Sequence, residues 1–244
     1  MQICPKVTIV TVCYNAVALI ESTIISVLSQ SYANIEYIII DGGSTDGTVD
    51  IIKKYANRLA YWVSEKDQGI YDAMNKGVNF ATGQWINFMN AGDSFSDVDA
   101  VEKIFKEEIP TSIRVVYGDT IAVMSAQKKV HIKALPVSRI NRGIIACHQS
   151  VFVSLVDKGD IYFDIKYKLS ADYNQIYNIY YKYGPNSFLY HAFPVSLYEF
   201  ENGLSAVHKT LCLQERFRIH VKYKLWTSCC IDFLMILLSK LGLK

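Results

Sequence analysis

The sequence predicts an α/β fold, with helices flanking a mostly parallel sheet and an amphipathic helical tail at the end. Short apolar, β-branched runs alternate with helical periodicity through the first half of the chain. The connections between them are short, and turn residues gather where each run ends.

Val7 to Val12 reads as a strand buried on both faces. From about residue 18 to 31, Leu19, Thr23, Ser26, Val27 and Gln30 fall at helical spacing. Ile35 to Ile40 is a second buried strand. It runs into Asp41-Gly42-Gly43-Ser44-Thr45-Asp46-Gly47-Thr48, a glycine-rich loop whose Thr48 is expected to cap the next helix. Tyr61-Trp62-Val63 and Trp85 to Met89 read as the third and fourth strands, with a helix over roughly 71 to 81 between them. Such repeated β-α-β units imply right-handed crossovers. Beyond Ser94 the pattern loosens. Val115-Val116-Tyr117 and Val130-His131-Ile132 are expected as antiparallel strands, Asp172 to Tyr183 as a Tyr-rich helix stopped by Gly184-Pro185, and Phe193 to Phe200 as a strand.

The tail has a different character. Lys209, Arg216, Arg218, Lys222 and Lys224 precede an apolar run from Leu225 to Leu238 that carries Trp226 and is interrupted by Asp232. The run is shorter than the ~20 residues that span a bilayer. It suits a helix lying in a membrane interface, or one packed on the domain or on a partner chain.

Composition narrows the function classes. With 51% apolar and 20% charged residues, the 244-residue chain can bury a sizeable core and is not a disordered one. A net charge of +2 gives no argument for nucleic acid. The cysteines form no CxxC pair, so neither a zinc nor a thioredoxin-like site is expected. Cys13 reads as a small buried hydrophobe, and a reducing cytoplasm fits. Met1 to Lys6 runs straight into a strand with no apolar h-region, so no signal peptide is expected. Most of the 17 tyrosines read as half-buried strand residues, though such rings also line sugar and base pockets.

Ligands of open α/β sheets bind at the carboxyl ends of the strands. That places Asn15, Asp41, the segment from Glu65 to Tyr71, and Asn90-Ala91-Gly92-Asp93 on one rim. The first turn, Cys13-Tyr14-Asn15-Ala16, lacks G-x-G-x-x-G, and no G-x-x-x-x-G-K-[ST] occurs, which removes the dinucleotide fingerprint and the P-loop.

VTIVTVCYN (7 to 15), IEYIIIDGGSTDGT (35 to 48), SEKDQGIYDAMNKGVNFATGQWINFMNAGD (64 to 93) and CHQSVF (147 to 152) resemble the family 2 glycosyltransferases of GT-A, Rossmann-like fold. Gly69 to Gly77 with Met89 to Asp93 is most similar to transferases of bacterial exopolysaccharide assembly, the colanic-acid type among them. The likeness is strong over residues 7 to 93 and scattered beyond residue 110. It implies an inverting transfer of sugar from a nucleotide diphosphate donor, with UDP-sugar the expectation, to a lipid-linked glycan. The setting implied is the inner face of the cytoplasmic membrane, without nucleic acid.

By the same likeness, residues 1–93 are the nucleotide-binding half and 94–204 the acceptor half; composition sets off 205–244 as the tail. Asp41 matches the carboxylate that binds the base, and Thr11, Asn15, Asp67, Tyr71, Asp72 and Asn90 join it as nucleotide-sugar residues. The family's metal motif is usually Asp-x-Asp; here Asn90 and Gly92 stand where acids are common and Asp93 remains. A divalent cation, Mn or Mg, would then rest on Asp93, the donor's phosphates and water. His148 and Gln149 match a pair on the acceptor side. Asp172, in Ser170-Ala171-Asp172-Tyr173, matches the catalytic base, with Ala171 where an acid is often found. Read without the likeness, Asp41 is also a turn former and Asp93 a helix cap. Asp172 suits a helix dipole, and His148-Gln149 is equally a packed polar pair. A nucleotidyltransferase, or a non-catalytic nucleotide- or glycan-binding subunit, stays open on the residues alone.

Overall fold

The most apolar runs lie at the middle of the sheet. The computed structural model describes residues 4–124, 128–199 and 208–240. In it β1 (Val7–Cys13), β2 (Ile35–Asp41), β3 (Tyr61–Ser64) and β4 (Trp85–Phe88) pair in parallel in the order β3-β2-β1-β4. Helices α1 (Ile20–Leu28), α2 (Thr48–Lys54) and α3 (Ile70–Phe80) fill the connections. Alternation along the strands sorts the core into two layers. Val10, Val12, Ile38 and Ile40 pack with Met74 and Val78 of α3, while Ile9, Tyr37 and Ile39 pack with Ile20, Ile24 and Ile52 on the opposite face. A side chain at Gly77 would meet Val10 Cγ1 at 2.4 Å, so glycine there lets α3 close onto β1.

The second half extends the sheet with β5 (Ser94–Phe95), α4 (Ala100–Phe105), β6 (Val115–Val123), β7 (Lys129–Ile132), β8 (Val151–Ser154), α5 (Ala171–Tyr183) and β9 (Phe188–Glu199). Past β4 the order is β8-β6-β9-β5, with β7 on β6. β8 runs antiparallel to both β4 and β6, which turns a parallel sheet into a mixed one. The β6–β7 pair is antiparallel, as expected. β9 begins at Phe188 rather than Phe193 and pairs in parallel with β6; Phe200 and the boundary at residue 204 lie outside the described residues. The sequence reading missed β8, because Val-Phe-Val-Ser is too short to carry a period and owes its conformation to two neighbouring strands.

Thr48 does not cap α2 from outside; it is the first helical residue. Asp46 Oδ1 accepts the Thr48 backbone N–H at 3.0 Å and its hydroxyl at 2.6 Å, because a carboxylate two residues ahead reaches that orphan donor.

The tail is helical, as α6 (Lys209–Lys222) and α7 (Trp226–Lys240). One face of it is bound into the protein. Ile219 is fully buried in the same apolar cluster as α3 and α5. Asp232 does more than interrupt an apolar run: it is buried, accepts from Arg216 Nε at 2.8 Å and approaches His220 Nδ1 at 2.6 Å. Arg216 therefore leaves the basic surface cluster to which its sequence position assigned it. The opposite face of α7 exposes Trp226, Phe233, Leu234 and Leu237. No helix among the described residues is long and apolar enough to cross a membrane.

Candidate active site

The strand ends build the rim. Asn15 sits just past β1 in a left-handed conformation, with φ of 47°. Its side-chain oxygen accepts from Thr45 N at 3.0 Å, and its backbone N–H donates to Ser44 Oγ at 2.7 Å, joining the first and second loops. Asp41 ends β2 with its side chain wholly buried. Gly43 N, Ser44 N and Ser64 Oγ donate to its Oδ2 at 3.1, 2.9 and 2.6 Å, and Ser44 Oγ and the Cys13 thiol donate to Oδ1. Burial alone would raise this carboxyl; the Ser44 and Ser64 hydrogen bonds win and hold it below the usual carboxylate range. Cys13 is buried as expected, but it is also a donor, and burial together with Asp41 pushes its thiol up.

Asp41 is buried, and its oxygens organise the loop from Gly42 to Ser44. The carboxylate of Asp67 lies over Gly42 so closely that a Cβ there would meet Asp67 Oδ2 at 2.5 Å. Asp67 Oδ1 accepts from Gly69 N at 2.9 Å at the start of α3. Thr11 is not on the rim. It points into the opposite core layer, fully buried, and its hydroxyl pairs with Tyr37 OH at 2.9 Å. Asp72 spends Oδ2 on the Gln68 backbone N–H at 3.0 Å, a local bond at the helix start.

The remaining predicted residues converge, and they come from both halves. Tyr71, in the first turn of α3, donates to Asp172 Oδ1 at 3.1 Å and stacks on Phe163 with centroids 5.7 Å apart. Burial, then the Asp172 charge, pushes the Tyr71 phenol well above its usual range, so it stays a donor. His148 Nδ1 faces Asp172 Oδ2 at 4.0 Å. Its Nε2 lies 2.9 Å from Asn90 Nδ2, and since an amide nitrogen only donates, the imidazole proton belongs on Nδ1, toward Asp172. Gln149 Nε2 donates to Asp93 Oδ2 at 2.7 Å. The turn after β4 and the His148-Gln149 pair are therefore locked together, with Asp172 beside them.

Two supporting residues were missed. Asn87, inside β4 and fully buried, donates at 2.9 Å to the carbonyls of both Gln149 and Val151 and so fixes the pair; a lone amide in an apolar strand was the available signal. Glu215 of α6 accepts from the backbone N–H groups of Lys168 and Leu169 at 2.6 and 2.9 Å, holding the loop that leads into α5 and Asp172. No local pattern announces a contact between residues so distant in sequence.

A divalent ion would find oxygen ligands in the turn after β4. Asn90 is 9% exposed, and its Oδ1 has no partner, which is the kind of hard, buried oxygen such an ion accepts. Asp93 supplies a carboxylate. Among the described residues no group of three or more His, Cys, Asp or Glu is placed to hold a metal unaided. The residues fit an ion shared with a bound diphosphate.

A parallel half-sheet thus meets a mixed second half at an acid–amide cluster to which both contribute, and the comparisons carry the assignment to a family. The sequence profile described as "Glycosyl transferase family 2" matches residues 8–132, and the chain belongs to that family. It is 32% identical to the "PGL/p-HBAD biosynthesis glycosyltransferase" of Mycobacterium tuberculosis, over 70% of this chain and 68% of that one. To an uncharacterized glycosyltransferase of the same species it is 40% identical, over 41% of this chain and 39% of that one. Among solved structures it is similar to S. aureus TarS 1-349 in complex with UDP-GlcNAc, with TM-score 0.69, 16% identity, and coverage of 88% of this chain and 64% of that one. It is also similar to the mannosyltransferase PcManGT of Pyrobaculum calidifontis in complex with GDP-Man and Mn2+, with TM-score 0.66, 17% identity, and coverage of 95% and 74%. The protein is a glycosyltransferase of GT-A fold.

Proposed function

We propose that the enzyme transfers a sugar from a nucleotide diphosphate donor, a UDP-sugar, to a lipid-linked glycan with inversion at the anomeric carbon. The observation that carries this reading is the position of Asp172. It is held by Tyr71 from the nucleotide half and faced by His148 from the acceptor half. A base so placed takes the proton from an acceptor hydroxyl as that oxygen attacks the anomeric carbon and the bond to the diphosphate oxygen breaks. His148, with its proton on Nδ1, orients the carboxylate. Asp41, by fixing the loop from Gly42 to Ser44, shapes the floor of the base site, and Asp67 over Gly42 is the carboxylate that meets the base.

Asn90 and Asp93 would hold a divalent cation, Mn or Mg, which when bound neutralises charge on the departing diphosphate. The exposed apolar face of α7, with basic residues on α6 behind it, supports peripheral association with the inner face of the cytoplasmic membrane and a role in bacterial surface-glycan assembly. The stereochemistry tests the proposal directly. Given an α-linked UDP-sugar, proton NMR of the first product should show a β-linkage. An α-linked product would contradict a single displacement assisted by one base.

A further inference from the structure

Next to Asp172, an open, largely apolar cleft lies between the sheet and α5. Phe88, Val115, Phe163 and Ile176 are among its walls. Tyr117 also lines it, but its hydroxyl is already donated to the Leu135 carbonyl at 3.3 Å. Asp172 and His148 contribute the polar edge, so the cleft meets the residues assigned to acceptor activation.

One further polar group faces it. Gln175 lies three residues after Asp172 on α5, a spacing that puts both on the same side of the helix. It is 2% exposed, and its Nε2 has no hydrogen-bond partner. Buried amide donors are rarely left unpaired, because their desolvation is then uncompensated. A bare sugar ring would not solve this. Its several hydroxyls would be stranded against apolar walls that offer them one unpartnered amide donor.

We infer that the cleft binds the apolar aglycone of the acceptor: an aryl group bearing one oxygen that accepts from Gln175, with the nucleophilic hydroxyl left at Asp172. The inference rests on the assignment of Asp172 as base. Flat rings suit walls that include Phe88, Tyr117 and Phe163, which can present faces and edges to another aromatic. An acceptor of this kind is anchored by its apolar end, and the sugar-bearing end is presented to the donor.

The test uses the full chain and three probes, the phenyl, octyl and methyl β-D-glucopyranosides, followed by thermal shift and by titration. The phenyl glycoside should raise the unfolding temperature and the methyl glycoside should not. Gln175→Leu keeps the volume and removes the orphan donor. Its unfolding temperature should therefore rise above wild type, while phenyl glycoside binding weakens about 5–10-fold, the worth of one hydrogen bond. Equal response to phenyl and methyl glycosides would overturn the inference. So would tighter binding of the octyl than of the phenyl glycoside, or a Gln175→Leu protein that is destabilised and binds the phenyl probe unchanged. Titration of wild type with UDP separates the two claims: lost UDP binding with intact phenyl preference would sink the transferase mechanism and leave the cleft assignment standing.

Discussion

Glu36 and Asp41 sit on the same strand, and both show how a buried carboxylate is kept charged. Glu36 is 7% exposed and accepts from Lys6 Nζ at 2.7 Å, from Thr8 Oγ1 at 2.6 Å and from Thr82 N at 2.7 Å. Burial raises its pKa, but the hydrogen bonds from Lys6, Thr8 and Thr82 outweigh it and bring the carboxyl down to about 2. A folded-state pKa below the unfolded value adds stability that is complete above the unfolded pKa and is lost as pH falls through the folded one. Glu36→Gln should therefore lower the urea-unfolding free energy at pH 7 by on the order of 3 kcal/mol. That deficit should shrink from about pH 4.5 downward toward about pH 2. A deficit constant across that window would mean that packing, not charge, holds the site. At Asp41 the same chemistry serves the rim. A strand end followed by two glycines was legible as a turn with a ligand-facing carboxylate. The sequence could not show that Ser44 and Ser64 would claim that carboxylate, since Ser64 comes from the next strand over.

Periodicity made the first-half elements legible because β1, β2 and β4 are buried on both faces and read as nearly continuous apolar runs. The second half was not legible in the same way. β8 and β5 are short and depend on partners far along the chain, and a four-residue strand has no period to detect. The tail was legible in composition but not in orientation. Its basic and apolar residues predicted an amphipathic helix, yet burial of Asp232 and His220 depends on how α6 meets α5, through Tyr173 OH at 2.9 Å from His220 Nε2. The outward face of α7 remains available, and its effect can be separated from folding. Leu234 is 57% exposed, so Leu234→Glu should leave the unfolding midpoint within about 0.5 kcal/mol of wild type. The same change should release the protein from anionic vesicles in a co-sedimentation assay. Vesicle binding that survives would show that α7 does not carry the attachment, and a large loss of stability would show that its outer face packs on protein.

Over the whole molecule, the two halves of the sheet are joined at β4 and β8, and the site lies at that seam. Tyr71, Asn90 and Asp93 come from the parallel half; His148, Gln149 and Asp172 come from the other. Each was singled out in the sequence by its place after a strand or at a helix start, or by family likeness. Their mutual contacts needed the fold. Asp172 carries the account. Asp172→Asn keeps the shape and still accepts from Tyr71, but it cannot take a proton from the acceptor. Turnover with UDP-sugar and acceptor should fall by at least ~10²-fold, with affinity for the donor little changed, the pattern of an interaction made mainly in the transition state. The most direct measurement is therefore kcat for sugar transfer alongside Kd for UDP, on Asp172→Asn and wild type. Near-normal kcat in a folded Asp172→Asn enzyme would contradict the mechanism, whatever the donor proves to be.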